Sequence, residues 1–350
     1  MKKTLVAVAA LLAATGSFAQ SSVTLYGVAD ASLESVKGAK TLTRVSSDNL
    51  ASSRLGFKGV EDLGGGLKAN FVLESAVGVD TGTANSTRFF GRAAWVGLST
   101  GFGDLRVGRQ DSSIGALAGN TAILGAQAYD DFAIAGTFSG SGSKYRRLDN
   151  TITYVAPTFV PGLSTQVQYS TAVGGSTTVG TEDSTGNGKA YGLSAQYAAG
   201  PFGASLGYIS VKTASNVKDT GLLLSGSYDF GAAKVVAYFE QDKTSSAATP
   251  EKTKLYGAKV VVPVATNFTL SAGLSKAKDT AKTTVDGDDA TIIAIKAVYD
   301  LSKRTSVYGL FTNVDNAKAS TLAVGGLTGA ALPAAGNNSR GLAFGVKHAF

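Results

Sequence analysis

Arginine is the residue type around which this sequence arranges its chemistry. Arg54, Arg92 and Arg147, with Lys58 and Arg88 close by, fall on the polar positions of segments in which apolar and polar residues alternate. A guanidinium stays charged at any working pH and holds its N–H donors in a fixed fork that suits passing anions. The chemistry this offers is electrostatic sorting, with no bond made or broken. The catalytic alternatives lack their groups. There is no cysteine, and the single histidine, His348, stands third from the end, which removes thiolate chemistry and leaves a histidine-based relay without partners. No phosphate loop or metal-ligand cluster occurs. Asp286-Gly-Asp-Asp289 has the acid density of a calcium loop without its spaced ligands or closing glutamate, and reads as a solvated loop tip. No catalytic residue, metal or cofactor is expected. The net charge of +7 is spread mostly over single basic residues, with only Lys2-Lys3, Arg146-Arg147 and Lys303-Arg304 as adjacent pairs, so nucleic acid is not an expected partner.

The segments that must position these cations alternate with a period of two. Leu67, Ala69, Phe71 and Leu73 oppose Lys68, Asn70 and Glu74; Leu163, Thr165, Val167 and Tyr169 oppose Ser164, Gln166 and Gln168. Period two means strands with one apolar and one wet face. Sixteen such strands are predicted: 22–34, 51–61, 67–77, 87–99, 104–111, 144–156, 162–171, 188–198, 202–213, 219–230, 232–242, 252–263, 267–277, 290–301, 304–314 and 339–350. The breaks between them alternate short and long, and the six prolines fall at breaks or, for Pro263, at a strand end, where no ladder N–H is required. Strands of roughly ten residues cross the ~25 Å apolar band of an outer membrane, with short turns on one side and long loops on the other. A soluble β-sandwich or β-solenoid would explain the alternation but not that rhythm. A sixteen-stranded antiparallel transmembrane barrel is wide enough to keep a water-filled lumen. Parity then assigns faces. Leu55 and Phe57 face out, so Arg54 and Lys58 face in; Phe89, Gly91, Ala93 and Trp95 face out, so Arg88 and Arg92 face in; Ile152 and Tyr154 face out, which turns Arg147 inward.

The two ends carry signals of export and assembly. Lys2 and Lys3 precede an apolar run of roughly a dozen residues, too short for the ~20 of a spanning helix, and Ser17-Phe18-Ala19 has the small-x-small spacing of a cleavage site. Residues 1–19 are expected to be a signal peptide and 20–350 the barrel domain. At the other end, Leu342, Phe344, Val346, His348 and Phe350 share one face of a last strand that finishes on an aromatic residue. Phe350 is the expected assembly signal, read by barrel-assembly machinery during insertion.

Ser22-Val-Thr-Leu-Tyr-Gly-Val-Ala-Asp30, Ser53-Arg-Leu-Gly-Phe-Lys-Gly59, Glu61-Asp-Leu-Gly-Gly-Gly-Leu-Lys-Ala69, Gly91-Arg-Ala-Ala-Trp-Val-Gly-Leu98, Gly103-Asp-Leu-Arg-Val-Gly-Arg109 and Asp149-Asn-Thr-Ile-Thr-Tyr154, with the terminal strand, resemble the general trimeric outer-membrane porins of Gram-negative bacteria, betaproteobacterial type. The resemblance implies a homotrimer, a third loop (112–143) folded inward, and an arginine ladder on the wall opposite that loop, whose positions Arg54, Arg92 and Arg147 match. Asp111, Asp130 and Asp131 are the acids expected at the constriction. The Pro-Glu-Phe-Gly segment of many relatives is missing from this loop, and fewer acids opposite the ladder should favour anions. Arg109 falls outward with Leu105 and Val107, and the resemblance places it in the trimer contact. The expected function is passive diffusion of small ions and hydrophilic solutes across the outer membrane, in contact with outer-membrane lipid. The alternatives are a substrate-specific channel and a barrel enzyme, the latter needing a nucleophile and base that only His348 approaches.

Overall fold

The computed structural model describes residues 22–84, 88–124, 128–140, 143–174, 179–182, 186–214, 217–245, 251–280, 286–327 and 329–350; the expected signal peptide, residues 1–19, lies outside them. The alternating segments form a closed antiparallel ladder. β1 (Ser22–Lys37) pairs through its first half with β3 (Arg54–Gly64), from Ser22↔Val60 to Val28↔Arg54, and through its second half with β2 (Thr41–Ser47). β2 and β3 are therefore two halves of one stave. The chain leaves that stave at Asp48, whose φ is 71°, and residues 49–53 fold over the inner face of β1. There the Asn49 amide donates to Ser32, Glu34 and Ser46, and the Asp30 carboxylate accepts the N–H groups of Leu50 and Ala51. The sequence reading, 51–61, missed the first half because a polar excursion interrupts it.

The remaining staves follow in order: β4 (Leu67–Gly78), with the two-residue β5 (Thr83–Ala84) hairpinned on its end, then β6 (Ala93–Thr100), β7 (Gly103–Asp111), β8 (Arg147–Val155), β9 (Leu163–Ser170), β10 (Ala190–Ala199), β11 (Phe202–Ala214), β12 (Val217–Asp229), β13 (Lys234–Thr244), β14 (Glu251–Ala265), β15 (Phe268–Lys278), β16 (Ala290–Asp300), β17 (Thr305–Asn316) and β18 (Ser339–Ala349). Each pairs with its sequence neighbours, and β18 returns to β1 from Val28↔Ala349 to Lys37↔Arg340, closing a barrel of sixteen staves. The Phe350 and Gly27 backbones exchange both hydrogen bonds at 3.1 Å, and the Phe350 ring lies where a Cβ on Gly27 would stand, 2.3 Å from it. Closure is obligatory in lipid, where no water can satisfy an open edge.

Parity gives the barrel its two faces. Val96, Leu98, Leu105, Val107 and Ile152 are exposed on the outer wall, and at the short-turn rim Phe102, Tyr197, Phe202, Phe230 and Tyr299 form an exposed aromatic girdle. The buried core lies inside the barrel, between the wall and the third loop. That loop carries α1 (Gly115–Thr121) and α2 (Asp131–Ile134). Its Ile114, Leu117, Ile123 and Phe132 pack on Ile209, Leu223, Leu255 and Ile292 of the inner wall, all fully buried. Glycines make this approach possible. A Cβ on Gly207 would come within 2.7 Å of Leu117, one on Gly273 within 2.8 Å of Ile123, and one on Gly341 within 2.7 Å of Tyr129.

Polar groups of the wall complete the fit. Lys259 donates to the carbonyls of Asn120 and Ala122, and Lys296 to that of Leu124, which satisfies acceptors left over at the end of α1. Asp242 accepts the Phe138 N–H at 2.7 Å, Glu240 accepts both the N–H and the hydroxyl of Ser139, and Asp219 accepts the Tyr145 hydroxyl. Burial, with Asp219 beside it, raises the Tyr145 phenol above its ordinary range.

A side chain at Gly207, where a Cβ would first meet Leu117 and Ile114 of the loop, should therefore dislodge the loop without opening the ladder. Gly207→Val is expected to cost about 1–3 kcal/mol through overpacking against Leu117. The folded band on unboiled detergent gels should be lost at a lower temperature, and the single-channel current should become noisier. Unchanged values in both would contradict this packing.

Candidate functional site: a guanidinium-lined lumen wall

Across the lumen from the packed side of the third loop, the inner faces of β4 and β6 to β9 bound a wet recess of about 310 Å³, with Ala116 of α1 on its other side. Glu74 on β4 organises it. Its carboxylate accepts from Arg92 Nε at 2.6 Å and from the Tyr26 hydroxyl at 2.9 Å, and lies 3.5 Å from Arg54 Nε. One carboxylate thus fixes two guanidiniums, and the partly exposed Arg54 keeps donors toward water. Asp111, at the end of β7, does the same for the next pair, 2.9 Å from Arg147 and 3.9 Å from Arg146. Lower on the wall, Arg106 on β7 pairs with Asp104 at 3.2 Å and lies over the Trp95 ring, 5.0 Å from its centroid. Guanidiniums outnumber carboxylates here, and the pairing holds them in place without cancelling their field.

The structure brings together Arg54, Arg92, Arg147 and Asp111 of the sequence-derived set. Lys58 is exposed on β3, its ammonium 5.2 Å from the Tyr26 ring. Three residues lie elsewhere. Arg88 is buried, 2.6 Å from Asp149, because residues 88–92 turn before the ladder begins at Ala93. Asp130 and Asp131 are turned to the wall and not to the opening. Asp131 accepts the Ile123 N–H and the Tyr238 hydroxyl and is fully buried. Burial beside Asp131 holds the Asp130 carboxyl well above the usual carboxylate range. The same turn before Ala93 shifts parity on β6: Val96 pairs with Phe71 and Trp95 with Val72, so Trp95 faces the lumen instead of lipid. Glu74, Arg106 and Trp95 were not in the sequence-derived set. Arg106 was legible, since it opposes the outward Leu105 and Val107.

Arg109 faces outward, and its charge is met within the chain. Its Nε donates to the Gly91 carbonyl at 2.7 Å, and its terminal nitrogen stands 2.5 Å from Asp149, which also accepts the Gly180 N–H. In the loop around 286–289, the carboxylates of Asp279, Asp288 and Asp289 lie within 4.8 Å of one another. Lys276 and Lys278 stand 3.9 Å from Asp289, and Lys254 stands 3.8 Å from Asp279, so the acids already have counter-charges.

Comparison with known proteins agrees with this geometry. The outer membrane porin protein 32 of Delftia acidovorans is 35% identical over 369 aligned positions that span the whole of both chains. The major outer membrane protein P.IB of Neisseria lactamica is 29% identical over 330 positions, covering 87% of this chain and 91% of its own. Among solved structures, the anion-selective porin from Comamonas acidovorans superposes with a TM-score of 0.80 at 29% identity, covering 95% of this chain and all of that one. Residues 6–319 match the Gram-negative porin family, and the chain belongs to that family.

Proposed function

We propose that the chain forms a water-filled outer-membrane channel through which small ions and hydrophilic solutes diffuse down their gradients, with a preference for anions. The observation that supports this reading is a division of charge across the lumen. Asp219, Glu240 and Asp242 are buried beneath the third loop and accept its hydrogen bonds, and the loop's own Asp131 is buried against Tyr238 of the wall, whereas Arg54, Arg92, Arg106 and Arg147 line the wet wall opposite. An ion in transit meets more guanidinium than carboxylate, and in a confined aqueous throat such an excess raises the local anion concentration. The Comamonas porin, whose selectivity is stated in its name, is consistent with the same sign. Diffusion requires no nucleophile or base.

The same reading extends to assembly. Residues 1–19 serve as the export signal, Phe350 as the element read by the assembly machinery, and three copies associate through the wall that carries Arg109. Leu105 and Val107 give that wall an exposed apolar surface, and the pairing of Arg109 with Asp149 lets its charge lie against another subunit.

Replacing Arg54, Arg92 and Arg147 together by glutamine should move the zero-current potential in a potassium chloride gradient toward cations. The barrel should still shift on heating, since each side chain keeps contact with water. Retention of the original anion preference would contradict the assignment. Crosslinking in mild detergent should yield three-chain species, and a purely monomeric population would overturn the proposed assembly.

A further inference from the structure

Trp95 is the single tryptophan of the sequence, and the lumen is a costly place for an indole without a partner. Its surroundings look built for a flat guest. In the β6–β7 ladder Trp95 stands opposite Gly108 and Gly97 stands opposite Arg106. Gly108 has φ 131°, and a Cβ there would lie 2.8 Å from the Trp95 Cα, so no side chain crowds the indole from that strand. A Cβ on Gly97 would lie 3.2 Å from Arg106 Cγ. Glycine leaves the floor across which the arginine stem reaches the ring. The guanidinium carbon then rests 5.0 Å from the ring centroid, while Arg106 Nε is buried with no hydrogen-bond partner. Gln166 and Gln168 line the same recess, and Gln168 donates to Thr153 at 3.0 Å while its carbonyl oxygen has no partner. Arg92 and Arg147 stand nearer the long-loop side.

The geometry points to a transit site for planar aromatic carboxylates, formed by Trp95 and Arg106 at the lumen wall. It rests on the reading of the lumen as an anion pathway and names the solute class that lingers there. A carboxylate can take the charged donors of Arg106 or of Arg147 above it, and an aromatic ring can stack on the indole or the guanidinium plane. Chloride or acetate gains only the first interaction. A neutral aromatic gains only the second.

Because Trp95 is the only indole, its fluorescence in the detergent-folded protein reports this site alone. Titration with 4-nitrobenzoate should quench it along a saturating curve. 4-Nitrobenzamide should quench only in linear, collisional fashion, and Arg106→Gln should make 4-nitrobenzoate behave the same way. In planar bilayers, benzoate should interrupt the single-channel current where acetate does not. Trp95→Ala should shorten those interruptions about tenfold, the loss of one stacking contact, and Trp95→Phe should restore most of the dwell. Equal, linear quenching by the acid and the amide would overturn the site. So would interruptions equal for benzoate and acetate. The zero-current potential of the same channels in potassium chloride separates the two readings. Anion preference without saturable quenching removes this site and leaves the filter standing. Saturable quenching without anion preference does the reverse.

Discussion

A chain segment inside a transmembrane barrel has to find a partner for each backbone N–H and C=O it brings, and in this protein the barrel wall provides them. Lys259 and Lys296 take the carbonyls at the end of α1; Glu240 and Asp242 take the N–H groups of Ser139 and Phe138; Thr312 donates to the Tyr129 carbonyl. Apolar contact with Ile209, Leu223, Leu255 and Ile292 fills the space between these anchors, and wall glycines let the loop come close. The consequence reaches beyond packing. Acids of one half of the wall are covered and spent on the loop, while the arginines of the other half remain in contact with water. The sign of the lumen follows from where the loop lies, more than from the composition of the chain.

The guanidiniums are held by the same economy. Glu74 serves Arg54, Arg92 and Tyr26, and Asp111 serves Arg146 and Arg147. Partly exposed ion pairs contribute little to stability in water, about 0–1 kcal/mol each. Their value here is positional: they fix the direction of a charge that would otherwise swing on a long side chain. Arg109 shows the opposite use. On the outer face its charge is met by Asp149 together with the Gly91 carbonyl, which allows a cation on a wall otherwise built of Leu105, Val107 and Ile152.

Strand number and closure were legible because period-two alternation and the rhythm of short and long breaks follow directly from a closed barrel in lipid, whereas the inward fold of the third loop was implied only by the resemblance to the porins. Parity failed where the chain leaves the ladder. Residues 88–92 turn before β6, so counting from Phe89 put Trp95 on the wrong face, and it placed Arg88 in the lumen when it pairs with Asp149. The excursion at 48–53 hid β2 for a similar reason. Asp130 and Asp131 were legible as loop acids, but nothing local tells an acid that faces the opening from one that faces the wall. Tyr238 and Lys259, the groups that draw them to the wall, lie more than a hundred residues away in sequence.

The central claim is that an excess of water-exposed guanidinium over carboxylate sorts the ions. An electrostatic origin has a signature that pore size lacks, since the reach of a charge shrinks from ~10 Å at about 0.1 M salt to ~3 Å at 1 M. The direct measurement is the zero-current potential of the unaltered channel at a fixed potassium chloride ratio, taken at successively higher mean concentrations. A strong anion preference in dilute salt that fades toward 1 M is the predicted result. A preference for cations, or an anion preference unchanged across that range, would contradict the account.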